Sequence, residues 1–405
     1  MENTATASNN LVRWPRVVNA FILLLTLGLI YAWSIFVKPL EAEFGWTRAQ
    51  TSLTFTFSMV FFTIGGFVSG YITSKLKPRI TVALSAVLLF AGFFFVSRTN
   101  ALSTLYISYG VVCGLSVGMA YNAILSAVVP WFPDKGGTVT GIMLMGFGFG
   151  SMVLGPVVGW LVTSMGWRTA FLIIGIFSFA VMLLALFLLV PPAPDTVLPE
   201  PKRKPDTTEG LTVEMPPGQM LKRPAFWLFL TWGLFIAGGG LSIIGHAAPI
   251  MIELGGGAVL ATLTVSCVAF ANGIARFCSG MIWDRFGRKK AMLAINCIDL
   301  TGLALVLIAG LTAQPYVFLI GAMCVGAAFG GASPLNSAFV FQFYGRKHYP
   351  MNFSLINSAL IVGSFMGPTA VGSLRTLTGT YVVAFILVLV YGCISFLERP
   401  LIKRP

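Results

Sequence analysis

The sequence predicts an all-α membrane protein of twelve transmembrane helices, arranged as two six-helix halves. Three observations predict it: the composition, the spacing of the apolar runs and an internal repeat. Of 405 residues, 57% are hydrophobic and 10% charged, where a soluble chain carries about 25% charged residues. The surplus of apolar surface needs a bilayer as its solvent. Aromatics make up 13% and there are 44 Gly, a composition that suits close helix packing in membranes.

A crossing needs about 20 predominantly apolar residues. On that criterion the runs fall at roughly 16–38, 49–74, 80–97, 101–130, 136–164, 167–190, 224–252, 258–283, 289–312, 315–343, 350–376 and 379–397. The first is too long for a signal-peptide core and has no small-residue cleavage site after it, so it reads as an uncleaved helix. Between the sixth and seventh runs, 191–219 carries Pro191, Pro192, Pro194, Pro199, Pro201 and Pro205 among charges. Such a stretch cannot bury a core and reads as a linker. The expected organisation is a bundle over 1–190, a linker over 191–220 and a second bundle over 221–405.

The formal charge is +13. Because the basic residues lie between apolar runs, it is read as topology and not as nucleic-acid binding. Of the 26 Lys and Arg, 20 fall on the side that holds both termini and the linker. Five fall on the other side, and Arg276 stands inside a run. The bias predicts cytoplasmic termini. The six Cys sit within apolar runs without CxxC spacing, so neither a disulfide framework nor a metal site is expected.

The halves repeat. The segment starting at Gly70 and ending at Arg79 aligns with Gly280 to Lys289 at an offset of 210. Gly155-Pro156 aligns with Gly367-Pro368 at an offset of 212. Two matches at nearly one spacing indicate a duplicated six-helix unit with pseudo-twofold symmetry, the arrangement that alternating access uses.

The pattern Gly280-x-x-x-Asp284-Arg285-x-Gly287-Arg288-Lys289 resembles the cytoplasmic loop motif of the major facilitator superfamily. Asp284, Arg285 and Arg288 read as a conformational latch that pairs with helix ends around Gly287; the alternative is a solvated basic loop. The first-half copy has Ser74 at the acidic position. Within the superfamily the chain is similar to the monocarboxylate transporter and oxalate:formate antiporter group. The likeness rests on Tyr31 and Trp33, on Tyr121, on Trp131-Phe132-Pro133-Asp134-Lys135, and on Asn272-x-x-x-Arg276. That family places a substrate-binding arginine at the position of Arg276.

An arginine central to a transmembrane helix costs roughly 2.5–3.5 kcal/mol on insertion scales. It normally faces an aqueous cavity, and its planar fork matches a carboxylate. Asn272, four residues earlier, shares its helical face. The alternative is an arginine that snorkels to the interface. The oxalate exchanger's pattern has a second cation in the eleventh span, where this chain has Leu360. One fixed cation balances one carboxylate, which favours a monocarboxylate. Mammalian members carry a lysine in span one and an aspartate one turn before the arginine; here those positions read Ile35 and Asn272. The proton site is therefore open between His246, whose ordinary pKa near 6.5 suits proton loading, and Asp299. The alternatives are a neutral histidine bonded to a helix carbonyl and a structural hydrogen bond at Asp299. From the resemblance, Tyr31, Tyr121 and Phe329 are expected to line a cavity, with Leu27 and Leu144 against an alkyl end and Asn357 as a polar contact. Gly238-Gly239-Gly240 and Gly330-Gly331 mark places to bend or to pack closely.

The resemblance implies proton-coupled symport of a small monocarboxylate of the L-lactate or pyruvate type. Oxalate/formate exchange and drug:proton antiport are the rivals. No nucleophile–base pair, P-loop or metal-ligand cluster suggests an enzyme. No cofactor and no metal are expected. The expected partners are a carboxylate anion, a proton and the lipid bilayer, with the chain working as a monomer in a cell (inner) membrane.

Overall fold

A computed structural model describes residues 2–193, 196, 198–199 and 214–402, and among them it is helical throughout with no strand. The elements are α1 (Glu2–Leu27), α2 (Trp33–Phe44), α3 (Arg48–Lys75), α4 (Pro78–Ser97), α5 (Gly114–Val128) and α6 (Gly136–Ala185). After the linker come α7 (Pro224–Glu253), α8 (Gly257–Phe286), α9 (Arg288–Thr312) and α10 (Pro315–Tyr344). The chain closes with α11 (Tyr349–Asn357), α12 (Ala359–Ser364), α13 (Ala370–Thr378) and α14 (Val382–Glu398). In hydrocarbon every backbone polar group must be satisfied within the segment, which is why such apolar runs are helices. Their starts are written locally: Pro78, Pro224 and Pro315 occupy first turns, where a missing N–H costs nothing. Thr47 and Gln50 close a capping box at α3.

Eleven segments among the described residues are long and apolar enough to cross a membrane. One of them, Gly136–Leu188, has 53 residues. At 1.5 Å per residue it would run to about 80 Å, far beyond a hydrocarbon core of about 30 Å. It turns at Gly166, whose φ of 80° and ψ of 157° are non-helical. The chain therefore crosses twice there, which brings the crossings to the predicted twelve.

Further interruptions fall inside spans. A 3-10 segment, Gly28–Ala32, carries Tyr31. A π-helical stretch, Tyr106–Cys113, precedes α5. A second, Phe365–Thr369, surrounds Pro368, whose missing N–H cannot continue an α-helical ladder.

The chain divides into two compact units. One is Met1–Gly210 with His348–Leu355, and the other is Leu211–Lys347 with Ile356–Pro405. The first is cored by aromatics: Phe36 stacks on Phe171 at 3.9 Å, and Trp33 meets Tyr109 at 4.5 Å. The second is cored by Ile250, Val268, Leu303, Val306, Phe318 and Phe385. Most of the predicted linker lies outside the described residues. Its described end is pinned in the second unit. Glu214 accepts the backbone N–H groups of Arg346 (3.1 Å) and Lys347 (2.8 Å), and Met215 N–H donates to the Tyr344 carbonyl (3.0 Å).

Candidate functional site

In the second unit, α8 and α10 pack backbone to backbone because α10 offers glycines at the contact. A side chain on Gly330 would land on the Asn272 carbonyl oxygen, and one on Gly326 would meet Val268. Against this close surface Asn272 makes two bonds. Its Nδ2 donates to the Gly326 carbonyl at 3.1 Å, and its Oδ1 accepts from Arg276 Nε at 3.0 Å. The spacing of four residues puts both side chains on one face of α8. Asn272 is 6% exposed and Arg276 2% exposed. A guanidinium so deeply buried in a membrane helix is thus oriented by an amide that is itself anchored on the next helix.

Phe329, one residue from that contact on α10, is buried against Ala237, Leu241 and Leu360. Position 360, where the oxalate exchanger's pattern has a cation, is therefore part of an apolar cluster. Asn357 Oδ1 accepts from Asn336 Nδ2 at 3.1 Å. Asn336 was not foreseen. Its signal was an amide inside an apolar run, the same signal that marked Asn272.

In the first unit, Tyr31 and Tyr121 share one neighbour, Phe147, at 5.2 and 5.3 Å. Phe62 lies 5.2 Å from Tyr121, and Phe353 stacks on Tyr121 at 6.2 Å. Phe147 is one of 34 Phe and carries no distinguishing pattern. Beside Tyr121, Asn122 Nδ2 donates to Ser354 Oγ at 2.6 Å and to the Pro350 carbonyl at 3.1 Å. Leu27 and Leu144 are buried inside this unit. Leu27 lines a small internal pocket with Thr26, Leu89, Phe93, Tyr109 and Cys113.

The Trp131-Phe132-Pro133-Asp134 signature has a structural task. Arg13 donates from Nε to the Trp131 carbonyl (2.8 Å) and pairs with Asp134 (2.5 Å), its guanidinium lying over the Phe132 ring. Trp131 Nε1 donates to the Val190 carbonyl at 2.7 Å. The motif thus ties together the ends of the first, fourth and sixth crossings.

His246, on α7, has both ring nitrogens placed. Nε2 lies 3.0 Å from the Pro368 carbonyl, which can only accept, so Nε2 carries the proton. Nδ1 faces Tyr381 Oη at 3.4 Å. Asp299, on α9, is 1% exposed, and neither carboxyl oxygen has a hydrogen-bond partner among the described residues.

At the α8–α9 turn, Gly287 has φ 78° and ψ 173°, backbone that only glycine adopts readily. Arg288 donates to the Ile402 carbonyl and lies over the Phe343 ring at 5.4 Å. Arg285 lies over the ring of Phe286 at 5.5 Å. Asp284 is half-buried one turn before Arg288. Among the described residues, no three His, Cys, Asp or Glu side chains gather as metal ligands would.

Outside the crossings, Glu43 accepts from Trp167 Nε1 (2.6 Å) and from Arg168 (2.5 Å). These two donors hold its carboxyl below the usual range, the Arg168 hydrogen bond contributing most.

A sequence profile described as the Major Facilitator Superfamily matches residues 19–368 and again 233–403. Among curated proteins, the chain is 27% identical over 355 residues to the uncharacterized MFS-type transporter YhjX of Escherichia coli K12, covering 87% of this chain and 86% of that one. It is 25% identical over 386 residues to the oxalate:formate antiporter of Oxalobacter formigenes, covering 95% and 90%. It is 23% identical over 378 residues to monocarboxylate transporter 13 of Rattus norvegicus, covering 92% and 85%. Among solved structures, the proton:xylose symporter XylE superposes with a TM-score of 0.73 at 15% identity, over 97% of this chain and 95% of that one. At that identity the likeness is one of fold.

Proposed function

This chain belongs to the Major Facilitator Superfamily, and on that premise we propose that it carries a small monocarboxylate, of the L-lactate or pyruvate type, together with a proton. It is a multi-pass membrane transporter and not an enzyme. The observation that carries the proposal is Arg276: a guanidinium 2% exposed in a membrane-spanning helix, oriented by Asn272 at 3.0 Å. An anion that enters there gains a charge-assisted bidentate pair. Substrate contacts are proposed for each unit by itself: Tyr31 and Tyr121 as aromatic contacts with Leu27 and Leu144 for an alkyl end in the first, and Phe329 with Asn357 as a polar contact in the second. Transport proceeds by alternating access, with Asp284, Arg285, Gly287 and Arg288 as the latch. The chain works as a monomer in a cell (inner) membrane with both termini cytoplasmic, the side that 20 of its 26 Lys and Arg favour.

Oxalate/formate-type exchange is the second reading, favoured by the relative of that name. The apolar surroundings of Leu360 weigh against it, because a dianion beside one guanidinium leaves an uncompensated charge in low dielectric. A drug:proton antiporter for lipophilic cations is disfavoured by Arg276 itself.

The test is uptake of labelled L-lactate into proteoliposomes with and without an inward proton gradient. Gradient-driven accumulation that pyruvate inhibits is expected. Arg276→Ala should lower uptake by at least about 30-fold, the loss of roughly 2 kcal/mol when one partner of a buried charge pair is removed. Normal uptake by a folded Arg276→Ala variant would remove Arg276 from the site.

A further inference from the structure

We infer that Asp299 is the site that binds the coupled proton; the inference rests on the proton-coupled reading above and selects its residue. On α9, two polar side chains one turn apart point into apolar packing. Asn296 is 0% and Asp299 1% exposed. Asn296 is fully engaged. Its Oδ1 accepts from Trp232 Nε1 at 2.9 Å, and its Nδ2 donates to Ser395 Oγ at 2.8 Å. Ser395 in turn donates to the Gly392 carbonyl at 2.9 Å. Asp299 takes no part in this network. Its Oδ2 lies 3.3 Å from where a Cβ on Gly392 would stand, so the carboxyl occupies the space that the glycine of α14 leaves.

Among the described residues, none donates a hydrogen bond to the Asp299 carboxyl. α7 presents Trp232, and α10 presents Cys324 opposite Gly302, one turn along α9. On α14, Tyr391 donates its hydroxyl to the Met366 carbonyl, and Glu398 lies beside Thr231 at the end of the helix. On α8, Arg276 is bound to Asn272. Among the described residues no charged side chain is paired with Asp299. An ionised carboxylate with neither cation nor donor is disfavoured in such a place, and the neutral acid is the form this packing accepts. A metal ion would need a cage of six or so oxygens, and a lone carboxyl suits a single proton. Asn296 shows what this interface asks of a purely structural polar group: both ends of its amide are bonded. Asp299 adds no such bond, so titration is the property it contributes.

His246 is the weaker choice. Its neutral form already satisfies both nitrogens, one against the Pro368 carbonyl and one against Tyr381. A second ring proton, on Nδ1, would reverse the Tyr381 bond, the hydroxyl changing from donor to acceptor, and would place a cation in a partly buried site.

The experiment compares the wild type with Asp299→Asn, which keeps shape and removes titration. Two readouts are taken in proteoliposomes: accumulation of labelled L-lactate driven by a proton gradient, and lactate counterflow without a gradient. A variant fixed in the loaded, neutral form should keep counterflow within about threefold of wild type while gradient-driven accumulation is lost. Accumulation at the wild-type level would overturn the inference. Should the variant fail to reconstitute, the wild type is treated with a hydrophobic carbodiimide, which attacks protonated carboxyls in apolar surroundings, and the adduct is mapped by mass spectrometry. An adduct at Asp299 that fades as pH rises supports the site, and its absence at acid pH overturns it. A wild type that shows no gradient-driven uptake refutes the proton-coupled reading, and the labelling then still reports separately on whether Asp299 binds a proton.

Discussion

Arg276 and Asn272 illustrate how far a single side chain can be read. A guanidinium inside an apolar run has few ways to exist, and each requires water, a partner or a ligand. That restriction makes both residues legible in the sequence, and the geometry adds the order of the chain: Gly326 carbonyl, Asn272 amide, Arg276 Nε. Phe147 was illegible for the opposite reason. An aromatic in an apolar run is satisfied almost anywhere, so nothing in the sequence sets apart the ring that both Tyr31 and Tyr121 touch. Asn272→Asp is the sharpest single change. The new carboxylate would sit 3.0 Å from Arg276 Nε and supply in advance the negative charge that a substrate carboxylate would bring to the guanidinium. Its second oxygen would replace a donor and face the Gly326 carbonyl, acceptor against acceptor. KM for lactate at neutral pH is expected to rise at least about tenfold, or roughly 1.4 kcal/mol. Uptake measured over a substrate range checks it, and an unchanged KM would argue that the substrate's charge is met elsewhere.

At the scale of elements, the apolar runs announced the helices, while their interruptions were only partly written. Pro368 has a local reason for a π-helical stretch, but Tyr106–Cys113 contains no proline and gave no warning. The glycine pair on α10 was open between bending and packing. The helix runs unbroken through Gly330, Gly331 and Pro334, and the two glycines do different things. A methyl group on Gly330 would strike the Asn272 carbonyl, which is backbone and cannot yield without moving α8. A methyl group on Gly331 would meet Ser279 Cβ at 3.4 Å, an ordinary contact. Gly330→Ala should therefore part α8 from α10, lower the melting temperature of the detergent-solubilised protein and impair transport. Gly331→Ala should leave both near wild type. Thermal unfolding of the pair decides it, since equal effects would mean that the α8–α10 approach does not position Asn272. The Glu43 cluster carries its own pH dependence. Its carboxyl titrates below the usual 4.5, so its ion pair with Arg168 contributes fully above that value. The contribution is lost only as pH falls through the lowered one.

For the molecule as a whole, the twofold sequence repeat predicts two six-helix halves, and contacts divide the chain into two units. Where they differ from the repeat is His348–Leu355, which packs with the first unit. A repeat records how a gene was duplicated, and it is silent on which neighbours a helix end chooses. Net charge is the other property of the whole. Under the proposed symport, one proton carried with one monocarboxylate anion makes a full cycle move no net charge. A membrane potential of 100 mV is worth about 2.3 kcal/mol for each charge moved, roughly a 50-fold change in accumulation. Proteoliposomes given a potassium diffusion potential of either sign, at equal internal and external pH, should therefore show unchanged lactate accumulation, while a pH gradient of matched size drives it. Exchange of a dianion for a monoanion moves one charge per cycle. A response to the potential that follows its sign, with indifference to pH, would replace proton symport by that exchange and would leave Asp299 without a proton to carry.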